Sequence, residues 1–311
     1  MRIVIIGGGS DPHVSAVFAH LSGMDVLLTD VAALAANRYV LHAGRLTVDH
    51  QGSSAILDAG EPARGWIRRL APPDWQRGVV LESHDAAVKT AWLSLLTGVL
   101  RTCGVVWLSD VDSLVVSESK LVQAAAAKKI GIRSPTTVVT NDPAAAQDLL
   151  GREIVLKPLG PGHFFEDGTP HNVFASHVGV DGPELAAAGS APFLAQQRLE
   201  ALSHLRVVTV GDDLWAAELD ATGRPLDWRS DPPAHRAFAP VAALEDDLAT
   251  AAISIATELR LGYTSQDWVI TDDGPYLLDV NPAGQWLFLP SVVAESVTAA
   301  IAAWLLRGVD D

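Results

Sequence analysis

Short apolar runs alternate with helical patterns through the first third of the chain. Residues 3–6 form a continuous apolar run that predicts a buried strand, and three glycines follow it at 7–9. Residues 12–21 have the spacing of a helix, and residues 25–29 predict a second strand. Because strands that alternate with helices are typical of parallel sheets with crossover helices, we expect a parallel α/β arrangement in this part of the chain.

A mixed segment follows, and the helical pattern resumes at residues 86–100, before another short strand at 105–108. The polar residues 110–113 indicate a break. Beyond the break, residues 117–130 predict an alanine-rich helix that ends at Gly131. We therefore place the first domain boundary at residue 112, which gives an N-terminal α/β domain over residues 1–112.

The rest of the chain divides into a central lobe, residues 113–192, and a C-terminal lobe, residues 193–311. The central lobe has β-rich runs at 136–139 and 154–157, a helix at 143–150 and a polar loop at 159–170. The C-terminal lobe opens with an apolar pair at 193–194. Beyond it the pattern predicts strands at 205–210, 214–219, 267–271 and 276–280, and helices at 244–259 and 292–306.

Composition narrows the class of protein. The 311 residues include 22 Lys and Arg against 37 Asp and Glu, so the formal net charge is −15. This acidic balance argues against a nucleic-acid partner and against an anionic membrane surface. The single cysteine, Cys103, excludes an internal disulfide. The longest apolar run is about half a membrane span, and only two residues precede the first one, so we expect a cytoplasmic enzyme.

Residues 266–282 carry the most informative chemical pattern. Two apolar runs flank residues 272–274, which predicts a hairpin with a three-residue loop. In that register Asp267 lies opposite Asp279, and Asn281 shares the face of Asp279. Opposed carboxylates repel, so Asp279→Asn is expected to leave the fold intact or slightly stabilised. A magnesium ion completed by phosphate and water would reverse the repulsion; the alternative is a hairpin with merely solvated polar ends.

The chain has only five lysines, and one of them stands in an unusual place. Lys157 ends an apolar run and precedes Pro158 and Gly160, where an ammonium group suits nucleotide phosphates. The alternative is a lysine whose stem is buried and whose charge reaches solvent. Lys120, on the alanine-rich helix, reads in isolation as a surface lysine.

Arginines supply three further candidates. Arg229 would hold a phosphate or acyl phosphate through a forked hydrogen bond, although pairing with a nearby carboxylate is the alternative. Arg68 and Arg69 form a cationic cluster beside Trp66 in an acidic protein, which favours an anionic substrate group. The alternative for this cluster is an internal ion pair with an acidic neighbour such as Glu61.

These residues occur in the order of a known family, and the chain from Lys120 to about residue 305 resembles the ATP-grasp carboxylate–amine ligases. The resemblance implies the ATP-grasp fold, with a pre-ATP-grasp parallel α/β domain before the central and C-terminal lobes, and ATP and Mg²⁺ as cofactors. The positions that match nucleotide-binding residues are Lys120, Lys157, Gln197, Arg198, Leu199, His204 and Arg206. Those that match the transferred-phosphate and metal positions are Arg229, Ser230, Asp267, Asp279 and Asn281.

Several positions depart from the family's pattern. His204 stands where an acidic residue is expected to bind ribose, which leaves the nucleotide preference open. Asp231 stands where asparagine is common, and Asp279 where glutamate is more frequent. The segment 159–170 differs from the glycine-rich lid of better-known members, so no contacts are carried over to it.

A narrower resemblance is to the ATP-grasp ribosomal peptide maturases, the graspetide or microviridin-type macrocyclases, which form ω-ester and ω-amide crosslinks. It rests on short motifs in the family's order at residues 66–69, 131–136, 140–143, 227–229 and 281–286. The alternative for Trp286, which ends the last motif, is a structural turn that packs an aromatic ring beneath the site.

The resemblance implies an ATP-dependent ligase that activates a carboxylate as an acyl phosphate and joins it to an amine or hydroxyl. Arg229 would stabilise the transferring group, and the partner would be a precursor peptide or a small carboxylate substrate. Two alternatives stay open: a ligase of the same fold acting on small molecules or a protein tail, and a nucleotide-binding regulatory module without catalysis. A homodimer is also left open.

Overall fold

The computed structural model describes residues 1–30, 37–50, 53–58, 60–70, 83–151, 153–159, 163–166, 169–172, 174–179 and 191–308. Its first sheet is parallel, as the alternating pattern predicts, and consists in spatial order of β2 (Val26–Asp30), β1 (Arg2–Gly7), β6 (Ala63–Ile67) and β7 (Val105–Trp107). β1 reads as a continuous apolar run because a strand between two neighbours is covered on both faces. α1 (Pro12–Ala19) follows it and is capped by Asp11, whose carboxylate accepts from the N–H of His13 at 2.9 Å.

An antiparallel meander lies between β2 and β6 in the chain, and the sequence analysis does not predict it. It consists of β3 (Arg38–His42), β4 (Arg45–His50) and β5 (Ser53–Asp58). Only Leu46 and Val48 of β4 and Leu57 of β5 are buried among the described side chains, and β3 is mostly exposed. β4 alternates polar and apolar residues at 45–49, which is a signal for a half-buried strand, whereas β3 and β5 show no such period, and the sequence analysis treats the whole segment as mixed.

The predicted break at residues 110–113 is the start of a helix. α3 (Val111–Ser117) begins after Asp110, which caps it by accepting from the N–H of Ser113 at 2.8 Å. A second helix, α4 (Lys120–Lys129), then starts three residues later than predicted. α2 (His84–Thr102) precedes this pair. A capping aspartate and a chain break share the same polar composition, which explains the misreading, and residue 112 lies inside α3.

The central lobe is built on an antiparallel sheet with the order β12 (Ser176–Gly179), β9 (Glu153–Lys157), β13 (Phe193–Gln197) and β8 (Thr137–Thr140). α5 (Pro143–Leu150) packs on this sheet through the fully buried Ala146. The segment predicted as a loop at 159–170 instead contains a hairpin of β10 (His163–Glu166) and β11 (Thr169–Asn172).

The C-terminal lobe is a five-stranded antiparallel sheet with the order β16 (Ala239–Val241), β15 (Asp213–Asp220), β14 (Ser203–Val210), β17 (Tyr263–Thr271) and β18 (Gly274–Asn281). α6 (Asp246–Glu258) packs on one face, next to Leu205 and Val207. α7 (Ser291–Leu306) packs on the other face, next to Val208, and also contacts α1 and β6. With both faces covered, β14 is buried throughout and shows no alternation.

Within the part of the chain that the structure describes, no helix is both long enough and apolar enough to cross a lipid bilayer.

Candidate functional site

The β17–β18 hairpin pairs the two predicted carboxylates, but by a different route from the one expected. Thr271 pairs with Gly274, so the loop has two residues and the predicted three-residue loop is wrong. This register would place Asp267 opposite Leu278. A β-bulge at Leu278 adds one residue to β18 and restores the predicted pairing of Asp267 with Asp279.

The bulge also sets which way the carboxylates face. Leu277 pairs with Trp268, and both belong to the core beneath the sheet. Residues two apart on a regular strand share a face, so without the bulge Asp279 would follow Leu277 into that core. With the bulge, Leu278 and Asp279 both line the cleft between the central and C-terminal lobes. Because of this extra residue, Asp279 faces the cleft instead of the core, and the end of β18 can contribute to a polar site.

Lys120 and Asp279 form the central ion pair of the cleft. The Lys120 Nζ atom lies 2.7 Å from Asp279 Oδ1. Burial alone would raise the pKa of Asp279, but the charge and hydrogen bond of Lys120 outweigh burial and hold this pKa below its usual value. Lys120 is therefore not the surface lysine that its sequence context suggests, because α4 points its first residue at β18.

Lys157 ends β9 on the opposite wall of the cleft. Burial lowers the pKa of its ammonium group to about 8, although the negative charge of Asp279 offsets part of that effect. The ammonium group is thus still mostly charged at neutral pH, but it loses its proton as the pH rises through about 8. An added anion would stabilise the charged form.

The cleft has a volume of about 210 Å³ and gathers side chains from both lobes. Eight of the residues predicted from the sequence line it: Lys120, Lys157, Gln197, Leu199, His204, Arg229, Asp267 and Asp279. The predictions missed Gln196 and Asp227, which are polar, and an apolar wall that includes Pro135, Val155 and Leu226. The apolar wall carried no signal, because its residues look like ordinary core positions in the sequence.

Six predicted residues lie outside the lining of this cleft: Arg198, Ser230, Asn281, Arg206, Arg68 and Arg69. Arg198 is exposed and forms ion pairs with Glu153 at 3.3 Å and Glu200 at 3.4 Å. Ser230 donates its hydroxyl to the carbonyl of Asp227 at 2.7 Å. Asn281 is exposed, and its side-chain oxygen accepts from the N–H of Ala283 at 3.0 Å.

Arg206 lies behind Asp267, in a buried position. Its Nη1 atom is 3.3 Å from Asp267 Oδ1 and donates to the hydroxyl of Ser265 at 3.0 Å. Its guanidinium lies over the rings of Trp228 and Phe288, at 5.5 and 5.6 Å from their centres. Within the described part of the chain its Nε has no hydrogen-bond partner. Arg206 therefore neutralises Asp267 from behind.

His204 lies on β14 at the rim of the cleft and is buried. Burial lowers the pKa of its imidazole, although the negative charges of Asp267 and Asp227 partly oppose this. The neutral ring can therefore donate or accept a hydrogen bond at this position.

Arg229 is held by a carboxylate two residues before it. Its Nε and Nη2 atoms donate to Asp227 Oδ1 and Oδ2 at 2.8 and 2.6 Å. This hydrogen-bonded pair raises the pKa of Arg229 and, against the effect of burial, lowers that of Asp227. Asp227 also accepts from the N–H of Ala175 in the central lobe at 3.0 Å. Arg229, which lies on a short 3₁₀ turn, is therefore paired with a carboxylate, as the alternative interpretation expects. It also lines the cleft.

Arg68 and Arg69 lie outside the cleft lining, and their acidic partner is Asp11 rather than the expected Glu61. The Nε atoms of Arg68 and Arg69 are 3.2 and 3.3 Å from Asp11 Oδ2. Arg68 is buried and donates to the carbonyls of Ala283 and Gly284. Only Arg69 keeps appreciable exposure. The internal ion pair is thus present, and Arg68 ties the first sheet to the turn that follows β18.

Trp286, in the same turn, is fully buried, as expected for a structural role. Its indole N–H donates to the hydroxyl of Thr298 at 3.0 Å, and its backbone N–H donates to His13 Nε2 at 3.3 Å. The turn is therefore anchored on both α7 and α1.

Comparison with known proteins rests on structure alone, since no family model and no curated protein matches the chain. A RiPP-associated ATP-grasp ligase of Chryseobacterium gregarium, solved with ADP and a leader and core peptide, has a TM-score of 0.83 and 22% identity, over 98% of this chain and 96% of that one. The macrocyclase MdnC of Microcystis aeruginosa, solved with its precursor peptide MdnA, has a TM-score of 0.81 and 19% identity, over 99% and 100%.

A more distant likeness is to an ATP-grasp RimK domain protein of Sphaerobacter thermophilus, with a TM-score of 0.59 and 16% identity over 98% of this chain and 100% of that one. All three likenesses span nearly the whole length of both chains. The α/β architecture and the ATP-grasp arrangement expected from the sequence are thereby confirmed, and the chain has the fold of the ATP-grasp ligases from end to end.

Proposed function

We propose that the protein is an ATP-dependent ligase that activates a carboxylate as an acyl phosphate and joins it to an amine or hydroxyl of a ribosomal precursor peptide. One observation carries the proposal. Two lysines, an opposed aspartate pair and an arginine, brought from distant parts of the chain, face one cleft between the lobes of an ATP-grasp fold.

The residues on the two walls of the cleft indicate how a nucleotide would bind. Lys120 and Lys157 would neutralise phosphate oxygens. Leu199 and the apolar wall offer an apolar surface for a base, and Gln197, the last residue of β13, borders it. His204, neutral and buried, would hydrogen-bond a ribose hydroxyl. Arg206 would act indirectly, by holding the carboxylate of Asp267 in place.

The aspartate pair fits a small divalent cation. Asp267 and Asp279 supply hard carboxylate oxygens from directly opposed strand positions, and Mg²⁺ characteristically takes one or two carboxylates together with substrate phosphates and water. When held by these residues, Mg²⁺ would supply positive charge that offsets the negative charge developing during phosphoryl transfer. Asn281 would add its amide oxygen.

The chemistry proceeds in two steps in this proposal. A substrate carboxylate oxygen attacks the γ-phosphorus of ATP, and ADP leaves, which gives an acyl phosphate. The Arg229 guanidinium, oriented by Asp227, stabilises the transferring group. An amine or hydroxyl then attacks the acyl carbon, phosphate leaves, and the nucleophile loses its proton, which forms an amide or an ester.

The peptide substrate is supported by the two neighbours with the highest likeness named above, each solved with a peptide. In this chain the donor would be an Asp or Glu side chain and the acceptor a Lys, Ser or Thr side chain of one precursor. The cleft is complete within one chain, so the proposal needs no second subunit. We place the reaction in the cytoplasm, where ATP is supplied.

The test is incubation of the purified protein with ATP, Mg²⁺ and short peptides encoded beside its gene, followed by mass spectrometry. We expect the loss of one water per crosslink, with ADP formed in equal amount, and neither in the Asp279→Asn variant. ADP formation with free amino acids but with no peptide would contradict the peptide substrate and favour the small-molecule or protein-tail alternative. Nucleotide binding without turnover of any carboxylate would favour a regulatory module.

A further inference from the structure

The backbone of β18 needs partners that the sheet does not provide. β18 is the last strand of its sheet, so the N–H and C=O groups on its outer edge have no neighbouring strand. At Val280 the side chain of Gln123 supplies both partners. Gln123 Oε1 accepts from the N–H of Val280 at 3.0 Å, and Gln123 Nε2 donates to the carbonyl of Val280 at 2.7 Å. A single side-chain amide thus takes the place of a strand.

Gln123 is itself firmly held. It is only 7% exposed, and Nε2 also donates to the carbonyl of Ser117 at the end of α3 at 2.7 Å. It lies one turn along α4 from Lys120, whose ammonium group contacts Asp279. α4 therefore contacts β18 twice, through a side chain at residue 279 and through the backbone at residue 280.

The position of this contact matters because of the bulge. Leu278 is left unpaired, and pairing with β17 is interrupted just before Asp279. Beyond the bulge the strand has only a short stretch left before it ends at Asn281. Val280 lies between the two residues assigned to the cation, so whatever fixes its backbone also fixes the directions of both side chains.

We propose that Gln123 is a positioning residue for the divalent cation, which holds the segment 279–281 in register after the bulge through its two hydrogen bonds to Val280. The proposal rests on the proposed function, since it takes Asp279 and Asn281 as cation ligands. Gln123 is not among the residues that line the cleft, and its side-chain oxygen and nitrogen are engaged by Val280 and Ser117. Loss of Gln123 should therefore weaken nucleotide binding in the presence of Mg²⁺ and leave nucleotide binding without Mg²⁺ unchanged.

The experiment measures the affinity for ADP by calorimetry with and without Mg²⁺, in wild type and in Gln123→Met. Methionine keeps the length of the side chain and removes both hydrogen bonds. We expect the gain in ADP affinity given by Mg²⁺ to fall about tenfold, as is usual when a residue that orients a metal ligand is lost. Binding of ADP without Mg²⁺ should stay near the wild-type value.

Two further variants keep the result interpretable. Gln123→Leu also removes both hydrogen bonds and adds no charge near Asp279, so it should lose the Mg²⁺ gain to a similar extent, and it replaces the methionine variant if that variant does not fold. Gln266→Met is the matched control. Gln266 is equally buried and hydrogen-bonded, to the carbonyl of Ala252 at 2.7 Å, but it faces α6 instead of the cleft. Its loss should lower stability and leave the Mg²⁺ gain unchanged.

A wild-type Mg²⁺ gain in both folded Gln123 variants would overturn the proposal, as would an equal reduction in Gln266→Met, which would indicate general destabilisation. Asp279→Asn separates this failure from that of the proposed function. If Asp279→Asn abolishes the Mg²⁺ gain and the Gln123 variants do not change it, only the positioning role is wrong. If Asp279→Asn also leaves the gain intact, the cation site itself is wrong.

Discussion

The charged side chains of the cleft owe their properties to their neighbours. Asp279 is held ionised by Lys120, Arg229 is held by Asp227, and Lys157 is partly deprived of its charge by burial. The ion pair between Lys120 and Asp279 reverses the effect on stability that the sequence predicts for Asp279→Asn. Opposed carboxylates alone would make Asp279→Asn neutral or slightly stabilising, but the contact with Lys120 makes the charge of Asp279 favourable in the folded protein.

We therefore expect Asp279→Asn to abolish ATP turnover and to lower the free energy of unfolding by about 1–3 kcal/mol, since a hydrogen bond to a charged group is lost. ADP release assays and urea unfolding measure the two effects. Asp272→Asn, in the exposed hairpin loop, is the control and should change neither. Near-normal turnover in Asp279→Asn would rule out the cation role.

Lys157→Ala is expected to weaken ADP binding roughly tenfold or more, a loss of about 1.4 kcal/mol. The wild-type affinity should also fall as the pH rises through about 8, because the free protein then loses the ammonium charge that attracts phosphate. Calorimetry between pH 7 and pH 9 tests both points. Lys128→Ala, at an exposed position on α4, is the control. A pH dependence that survives in Lys157→Ala would assign the titration to another group.

At the scale of elements, the hairpin of β17 and β18 shows how far sequence reasoning reaches. The sequence predicts that Asp267 faces Asp279, but only because two errors offset each other: the loop has two residues instead of three, and the bulge at Leu278 adds the missing residue. The bulge could not be predicted in the same way, although one sign of it is present. Leu277 and Val280 both belong to the core although they are three residues apart, a spacing that a regular strand does not allow. Asp227 and Gln123 left no comparable signal, since only the folded chain shows what they bind.

The turn after β18 depends on the protonation of a histidine. His13 Nε2 accepts from the N–H of Trp286, so the neutral ring is required there. Burial and the charge of Arg68 lower the pKa of His13, against the opposing effect of Asp11. The unfolded chain then binds a proton that the folded chain does not, and stability is lost as the pH falls below about 6.5.

The unfolding free energy should accordingly drop by roughly 1 kcal/mol between pH 7.5 and pH 5.5. His13→Gln keeps an acceptor without titrating and should show a smaller drop, as measured by urea unfolding at both pH values. His204, whose pKa is also lowered, contributes in the same direction, so part of the drop should persist. An unchanged pH dependence in His13→Gln would contradict the assignment.

At the scale of the whole molecule, the lobes are joined by contacts that a linear division does not reveal. α7 lies at the end of the predicted C-terminal lobe, yet it packs on α1 and β6 of the N-terminal sheet. The boundaries at residues 112 and 192 therefore remain predictions. The order of strands and helices and the parallel first sheet could be predicted, because local patterns determine them. The β3–β5 meander and the β10–β11 hairpin were not predicted: β4 alternates at 45–49, but the other four strands lack a clear period.

Arg68 is one of the side chains that join the lobes, and it should differ sharply from its neighbour Arg69. We expect Arg68→Gln to destabilise the protein by about 3–5 kcal/mol, because it leaves Asp11 and two carbonyls without a buried cation. Arg69→Gln should cost less than about 1 kcal/mol, since this side chain is partly exposed. Thermal and urea unfolding test the difference. A selective loss of substrate use in Arg68→Gln, with normal stability, would instead favour the substrate role.

The contact between Lys120 and Asp279 also determines when the site can form during synthesis of the chain. It joins residues 159 positions apart in the chain, and Asp267, its neighbour across the strands, is almost as far from Lys120. A ribosome therefore delivers both lysines before either aspartate. Until β18 has emerged and folded, the growing chain has the two positive charges but no acidic pair to complete the site. The proposed binding of nucleotide with magnesium therefore has to wait for β18.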